Sequence, residues 1–396
     1  MSNIDLTTKF CGLTLKNPVI IPAGIHGRNG KVIKEISRSG VSAICTKTII
    51  SAPAPDVLPC FAKVPNKSGM LNSVFGSDKT SEYWFTEGIK KAKEGDALVF
   101  ANLAGYYPAQ AAELAQKAEA AGADLIIQPT HCPHMGEILN AMFPDMNYQE
   151  GGLADTAGML ATVKAIKAAV KIPVVVKLSG SHNHITPEWA LAVKESGADG
   201  IGASDAFGPA LAIDTRTGQP MLGGPRGVGG LTGAAIMPLV LRMVLEIAMT
   251  IDLPILGVGG VTNANDALQY IMAGATTVGV VTAGHIDGPA RYTKIIDDLR
   301  ILLEKLGYNS LEEVRGLTIK RIQERKENNQ IAVTEPLTPV IDLDFCNGCG
   351  KCIPVCGYGA MWMENKKARI NSELCIGCGL CKSVCPFNAI IHEYYK

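Results

Sequence analysis

Short apolar runs rich in β-branched residues alternate with alanine-rich stretches from about residue 17 to residue 306. The runs PVIIPA, SAICTKT, ALVFANL, DLIIQP, PVVVKLS, GIGAS, PILGVGG and TVGVVTA read as eight strands. Between them, segments such as PAQAAELAQKAEAAGA, TAGMLATVKAIKAAV and PEWALAVKESGA carry apolar residues at helical spacing and end in small-residue stops. Strands that are apolar along nearly their whole length are buried on both faces, as in a parallel sheet. Eight β/α units in under about 300 residues predict an α/β fold, a closed (β/α)8 TIM barrel over residues 1–308. In such a barrel the active site sits at the C-terminal strand ends. An open doubly wound sheet is the alternative that this pattern leaves. Residues 309–340 are richer in charge, carry two prolines near their end, and read as a linker or helical arm leading to a separate module at 341–396.

Composition narrows the function classes. With 47% hydrophobic and 19% charged residues, the chain has the material for a large core. Lysine plus arginine equals aspartate plus glutamate at 37 each, so no net field draws nucleic acid or an anionic membrane, and a small-molecule substrate is expected. The opening MSNIDLTTKFCGLTL has no basic stretch followed by an apolar core, so no secretory signal is expected. The most apolar long segment, LVLRMVLEIAMTIDLPILGVGG, is broken by Arg242, Glu246 and Asp252, which disfavours a membrane span. The expected location is cytoplasmic.

Of twelve cysteines, eight fall from Cys346 onward, in CNGCGKCIPVC and CIGCGLCKSVCP. Each run is C-x-x-C-x-x-C-x-x-x-C, the spacing of a bacterial-ferredoxin-like α+β domain with two [4Fe-4S] clusters, in which the fourth cysteine of each run serves the other cluster. That pattern assigns Cys346, Cys349, Cys352 and Cys385 to one cluster, and Cys375, Cys378, Cys381 and Cys356 to the second. Gly348, Gly350, Gly377 and Gly379 permit the tight turns between ligands. Gly357 stands in the first run where Pro386 stands in the second, which removes no ligand. Paired zinc knuckles are the competing use of C-x-x-C. The remaining Cys11, Cys45, Cys60 and Cys132 show no pairing pattern, so disulfides are not expected.

From LKNPVIIPAG to VVTAG the barrel resembles the dihydroorotate dehydrogenase and dihydropyrimidine dehydrogenase family. The resemblance is carried by TKT, GMLNS, CPH, VVVKLS, GGLTGAAIMP and GVGGVTNANDALQYIMAGAT, and with the ferredoxin module it covers nearly the whole chain. It implies an FMN cofactor contacted by Ala23, Gly24, Lys47, Asn102, Lys177, Gly229, Gly230, Gly259, Gly260, Thr282 and Ala283. The residues agree in chemistry. GVGG after strand seven and VVTAG after strand eight stand where barrels bind phosphate through backbone amides, with Gly229 and Gly230 as a third contact, and lysines at the ends of strands two and five suit the negative charge of a reduced flavin. Surface lysines at strand tips are the blander reading.

The same resemblance places Cys132 on the family's catalytic cysteine, which exchanges a proton with one substrate carbon while flavin N5 exchanges a hydride with its neighbour. A thiol with an ordinary pKa of about 8.5 is mostly protonated at neutral pH, as a proton donor must be. A metal site with His131 and His134, a covalent thiolate and an inert core cysteine are the alternatives. Among substrate contacts Asn72 follows the family, together with His131, His134 and Asp205 as candidates, but Pro129 and His131 replace an asparagine and a serine before the cysteine, and Asp205 and Ala206 replace an Asn-Thr pair. A buried polar group left unpaired costs about 1–3 kcal/mol, so the expected substrate is a small cyclic molecule with an activated C=C bond other than uracil, thymine or dihydroorotate. A true dihydropyrimidine or dihydroorotate dehydrogenase is the alternative, and an electron-relay subunit without its own substrate the second. The stretch MGEILNAMFPDMNYQEGGLADTAG after Cys132 suits a specificity lid. GVGGVT lacks the G-x-G-x-x-G spacing of a nicotinamide site, so the expected electron partner is a flavoprotein subunit or a ferredoxin. The resemblance further implies a homodimer.

Overall fold

The eight apolar runs form the eight strands of one closed ring. A computed structural model describes residues 4–54, 56–64, 69–130, 140 and 155–392. The chain opens with a hairpin, β1 (Thr8–Phe10) and β2 (Leu13–Leu15), then enters the ring with β3 (Val19–Ile21) and β4 (Ala43–Cys45). An excursion holds β5 (Phe61–Lys63) and β6 (Met70–Asn72). The ring resumes with β7 (Leu98–Asn102), β8 (Leu125–Pro129), β9 (Val174–Leu178) and β10 (Gly200–Ala203). A second excursion carries β11 (Phe207–Ala210), the small hairpin of β12 (Ile213–Asp214) with β13 (Gln219–Pro220), and β14 (Gly229–Thr232). Finally β15 (Ile255–Val258) and β16 (Thr277–Gly279) close the barrel, in the order β10-β15-β16-β3-β4-β7-β8-β9.

Helices between the strands form the outer layer. Side-chain caps fix several of their starts: Asn29 accepts from the Val32 amide at 2.9 Å, Asp155 from Gly158 at 3.0 Å and Asn263 from Asp266 at 3.1 Å. In the helix Pro108–Ala120 the buried residues Ala111, Leu114, Ala115 and Ala118 keep the spacing that faces one side.

Inside the ring, alternate strand residues meet in a separate core: Ile20, Ala43, Cys45, Phe100, Leu125, Ile127, Val175, Leu256 and Val258. Phe10 and Leu15 of the first hairpin join it. Because side chains alternate along a strand, the next inward position beyond this apolar layer is where a polar site has to stand.

The two excursions meet as a four-stranded antiparallel sheet, β11-β14-β6-β5. The alternating strand pattern does not announce this sheet, because its strands are short and come from segments far apart in the chain.

The chain divides into two units, up to Ile322 and from Gln323 onward, with the helix Leu317–Glu327 spanning the division. In the second unit β17 (Val340–Ile341) pairs with β20 (Ile390–Ile391), and β18 (Met361–Glu364) with β19 (Lys367–Ile370). The β18–β19 turn uses Asn365 at φ 51° and Lys366 at φ 58°, the left-handed pair of a two-residue hairpin loop.

Candidate active site

Stepping two residues beyond the apolar layer brings Lys47 after Cys45, Asn102 after Phe100, Pro129 after Ile127, Lys177 after Val175 and Gly260 after Val258. Alternation thus stacks a polar layer directly on an apolar one. Lys47, Pro129, Lys177 and Gly260 line a cavity of about 800 Å³. Ala23, Gly24, Asn72, Asp205, Gly259, Thr282 and Ala283 line it as well.

Lys47 is only 6% exposed, and its backbone N–H donates to the Gly27 carbonyl at 2.7 Å. Lys177 lies across the register from Gly202, whose missing side chain makes room for the lysine stem: a Cβ there would stand 3.2 Å from Lys177 Cγ. The Lys177 ammonium is 3.7 Å from the Asp205 carboxylate. Asn102 is not among the cavity-lining residues; it donates to Thr48 Oγ1 at 2.6 Å, while its own Oδ1 is buried without a hydrogen-bond partner among the described residues.

Asn72 is carried by the excursion sheet, where it faces Gly230 and donates to its carbonyl at 3.3 Å. Gly229 and Gly230 belong to strand β14 and are not among the cavity-lining residues. Their small size serves the sheet itself, since a Cβ on Gly229 would stand 2.5 Å from the Asn72 carbonyl oxygen and one on Gly230 2.4 Å from Ala206. Gly233, at φ 88°, lines the cavity instead. Gly260, at φ 76°, holds a left-handed turn after β15. Thr282 donates to Thr232 Oγ1 at 3.1 Å and ties the end of the last barrel strand to the sheet.

His285 also faces this cavity, and only its place three residues after Thr282 could have pointed to it in the sequence. Both its ring nitrogens are buried without a hydrogen-bond partner among the described residues. Burial, then the neighbouring His26 and Lys47, push its pKa down to about 4. The His26 ring stands perpendicular to it at 4.8 Å and hydrogen-bonds the Tyr292 hydroxyl at 2.7 Å. A neutral imidazole therefore faces the cavity.

His131, Cys132 and His134 lie outside the described residues, as does most of the stretch expected to form a lid. The described chain reaches Thr130, which lines the cavity and whose hydroxyl donates to the Lys177 carbonyl at 3.1 Å.

The residues present fit FMN. Two lysines suit an anionic ring edge, the orphaned Asn102 Oδ1 suits a ring N–H, and the glycine turn at 259–260 leaves backbone open to a phosphate.

In the second unit Cys346, Cys349, Cys352 and Cys385 surround one small void, and Cys356, Cys375, Cys378 and Cys381 surround another. Among the described residues no group of three or more His, Cys, Asp or Glu converges closely enough to hold a single metal ion. Four sulfurs around a void suit a cubane rather than zinc. Amide N–H groups of Ala368 and Gly377 point at Cys346 and Cys375 sulfurs, 3.5 and 3.4 Å away. The Ala368 amide holds the Cys346 thiol below its ordinary pKa. Gly348 and Gly377 are positioned where only glycine fits: a Cβ would meet the Lys366 carbonyl at 2.2 Å and the Leu337 carbonyl at 2.6 Å.

Comparison with known sequences gives the same division. The dihydroorotate dehydrogenase family pattern matches residues 5–303, and that of the 4Fe-4S dicluster domain matches 339–392. Among the relatives is the dihydroorotate dehydrogenase B (NAD(+)) catalytic subunit of Methanothermobacter thermautotrophicus, 32% identical over 79% of this chain and 98% of the relative. Proteins of the same name from Methanocella arvoryzae (34%, over 72% of this chain and 88% of the relative) and Bacteroides thetaiotaomicron (32%, over 79% and 98%) match similarly. Among the described residues no helix is long and apolar enough to cross a membrane. The chain belongs to the dihydroorotate dehydrogenase family, as a flavin and iron–sulfur oxidoreductase of the CH–CH class with a 4Fe-4S dicluster domain.

Proposed function

We propose that this protein interconverts the CH–CH and C=C forms of a small cyclic acid of the dihydroorotate type, and that two [4Fe-4S] clusters connect it to a separate electron partner. The observation that supports this most is the polar layer on the apolar barrel core, whose Lys47 and Lys177 line one cavity with Asn72 from the sheet, with the buried Asn102 beside them in the same layer.

FMN, when bound, supplies hydride exchange at N5 and can take or give electrons singly. The chain's own residues do the rest. Lys47 and Lys177 stabilise negative charge on the flavin and substrate, the Asn102 carbonyl accepts an N–H, and backbone groups at Gly259, Gly260, Thr282 and Ala283 hold the phosphate. Ala23 and Gly24 border the ring. Gly229 and Gly230 act from one step back by letting the sheet close and keep water out. Cys132 follows the cavity-lining Thr130 by two residues, and its thiol gives or takes the substrate proton. His131, His134 and Asn72 hold the substrate's polar edge.

Cys346, Cys349, Cys352 and Cys385 hold one cluster, and Cys375, Cys378, Cys381 and Cys356 the other, grouped as they line the two voids. The relatives are named catalytic subunits, in keeping with a flavoprotein subunit or ferredoxin as electron partner. Assembly as a homodimer completes the reading, and a sedimenting monomer would remove that element. Pro129 and Asp205 support a second reading, in which the ring is not a pyrimidine.

The test is anaerobic. The holoprotein is reduced with limiting dithionite, orotate, uracil or thymine is added in turn, and the return of the oxidised flavin band is followed. Fast reoxidation by orotate is expected; no reoxidation by any of the three, with flavin and iron confirmed present, would favour the second reading.

A further inference from the structure

One carboxylate stands inside the cavity beside one of its two barrel-layer lysines. Asp205 Oδ2 lies 3.7 Å from Lys177 Nζ, and the two side chains are only 17% and 15% exposed. The other oxygen, Oδ1, accepts the Gly180 backbone N–H at 3.2 Å. The carboxylate is thus held from two sides, by strand β9 itself and by the turn that follows it. The lysine is constrained as well, since its stem lies against Gly202. Neither charge is a mobile surface group.

A cation facing a flavin favours the reduced form, because the oxidised ring takes up two electrons and one proton to become an anionic hydroquinone. A carboxylate that shares the cation cancels part of its field, and in a partly buried site the cancellation is strong because solvent screens it little. We propose that Asp205 is a redox-setting residue: by pairing with Lys177 it lowers the midpoint potential of the flavin in this cavity. The consequence is a flavin matched to low-potential iron–sulfur donors and reducing enough to pass a hydride onward. This inference rests on the reading of the cavity as the FMN site.

The experiment is an anaerobic spectroelectrochemical titration of the full-length, FMN-loaded protein. Wild type is compared with D205N, D205S, D205E, K177M and K177M/D205N. D205N and D205S should favour reduced flavin by tenfold or more, an upward shift of about 30 mV or more for a two-electron couple. D205E should stay near wild type, and K177M should shift downward. In the K177M background D205N should still shift the potential upward, because the fields of the two charges add at the flavin. Wild-type potentials in D205N and D205S with FMN bound would overturn the proposal, as would an upward shift in K177M. Failure of the wild-type chain to take up FMN would instead overturn the cofactor reading itself.

Discussion

The barrel and the C-terminal unit place their chemistry by opposite means. In the barrel, Lys47, Asn102 and Lys177 come from three strands up to 130 positions apart in the numbering and meet because alternation lifts each one step above an apolar layer. That unit buries Trp84, Tyr270, Tyr292, Phe10 and Phe100 completely. The C-terminal unit buries little: its core is Cys352, Met361, Ala368 and Ile390, while Phe345 and Phe387 are 65% and 43% exposed. Three cysteines of each group come within a few residues of one another, at spacings the backbone can close locally, and the fourth comes from the other run. A large core holds a cavity open without help, whereas a small unit with a slight core depends on what its ligands bind.

Removing iron should give the largest effect. An iron-free preparation should lose protease resistance from about Gln323 onward while the barrel survives as a large fragment, read by limited proteolysis and mass spectrometry. A C-terminal unit that stays resistant without iron would break the contrast.

Replacing Cys132 by alanine should lower substrate turnover by about 10²–10⁴-fold, the usual worth of a positioned proton donor. Dithionite reduction of flavin and clusters should be unchanged, and equal turnover in the variant would remove Cys132 from the chemistry.

Phe100→Ala, at the centre of the barrel interior, should destabilise the barrel by about 3–5 kcal/mol and leave cluster absorbance intact. If both units were to melt together, they would be one cooperative body and the comparison would fail.

The smallest effect concerns His285. Its folded pKa of about 4 lies below the ordinary 6.5, so the unfolded chain binds more protons between these values, and the contribution is present above about pH 6.5 and lost as pH falls toward 4. Going from pH 7.5 to 5 should cost the wild-type barrel on the order of 1–2 kcal/mol more than H285F, measured as the difference in denaturation midpoints. An identical pH dependence in the two proteins would show that His285 is not held neutral by its surroundings.

The legibility of the sequence follows the same contrast. All eight barrel strands were readable, because burial on both faces leaves an apolar run that needs no partner to be recognised. Both cysteine groups were readable, since ligand spacing is a local quantity. The sheet β11-β14-β6-β5 was not, because its strands are short and belong to two distant excursions. Gly229 and Gly230 show the cost: in the sequence they read as ligand contacts, whereas the structure puts them in strand β14, against Asn72 and Ala206. His285 was invisible because a histidine after a strand end is ordinary until Gly24, His26 and Lys47 are seen around it.

By itself, the sequence determined the barrel, the ferredoxin-like module and the residue types of the chemistry, because periodicity and ligand spacing act over a few positions. Only the tertiary structure decided which of those residues share one cavity. It also paired Asp205 with Lys177 and left His285 and Asn102 Oδ1 without a hydrogen-bond partner among the described residues. These juxtapositions are set by ring closure and strand register, which join segments far apart in the chain.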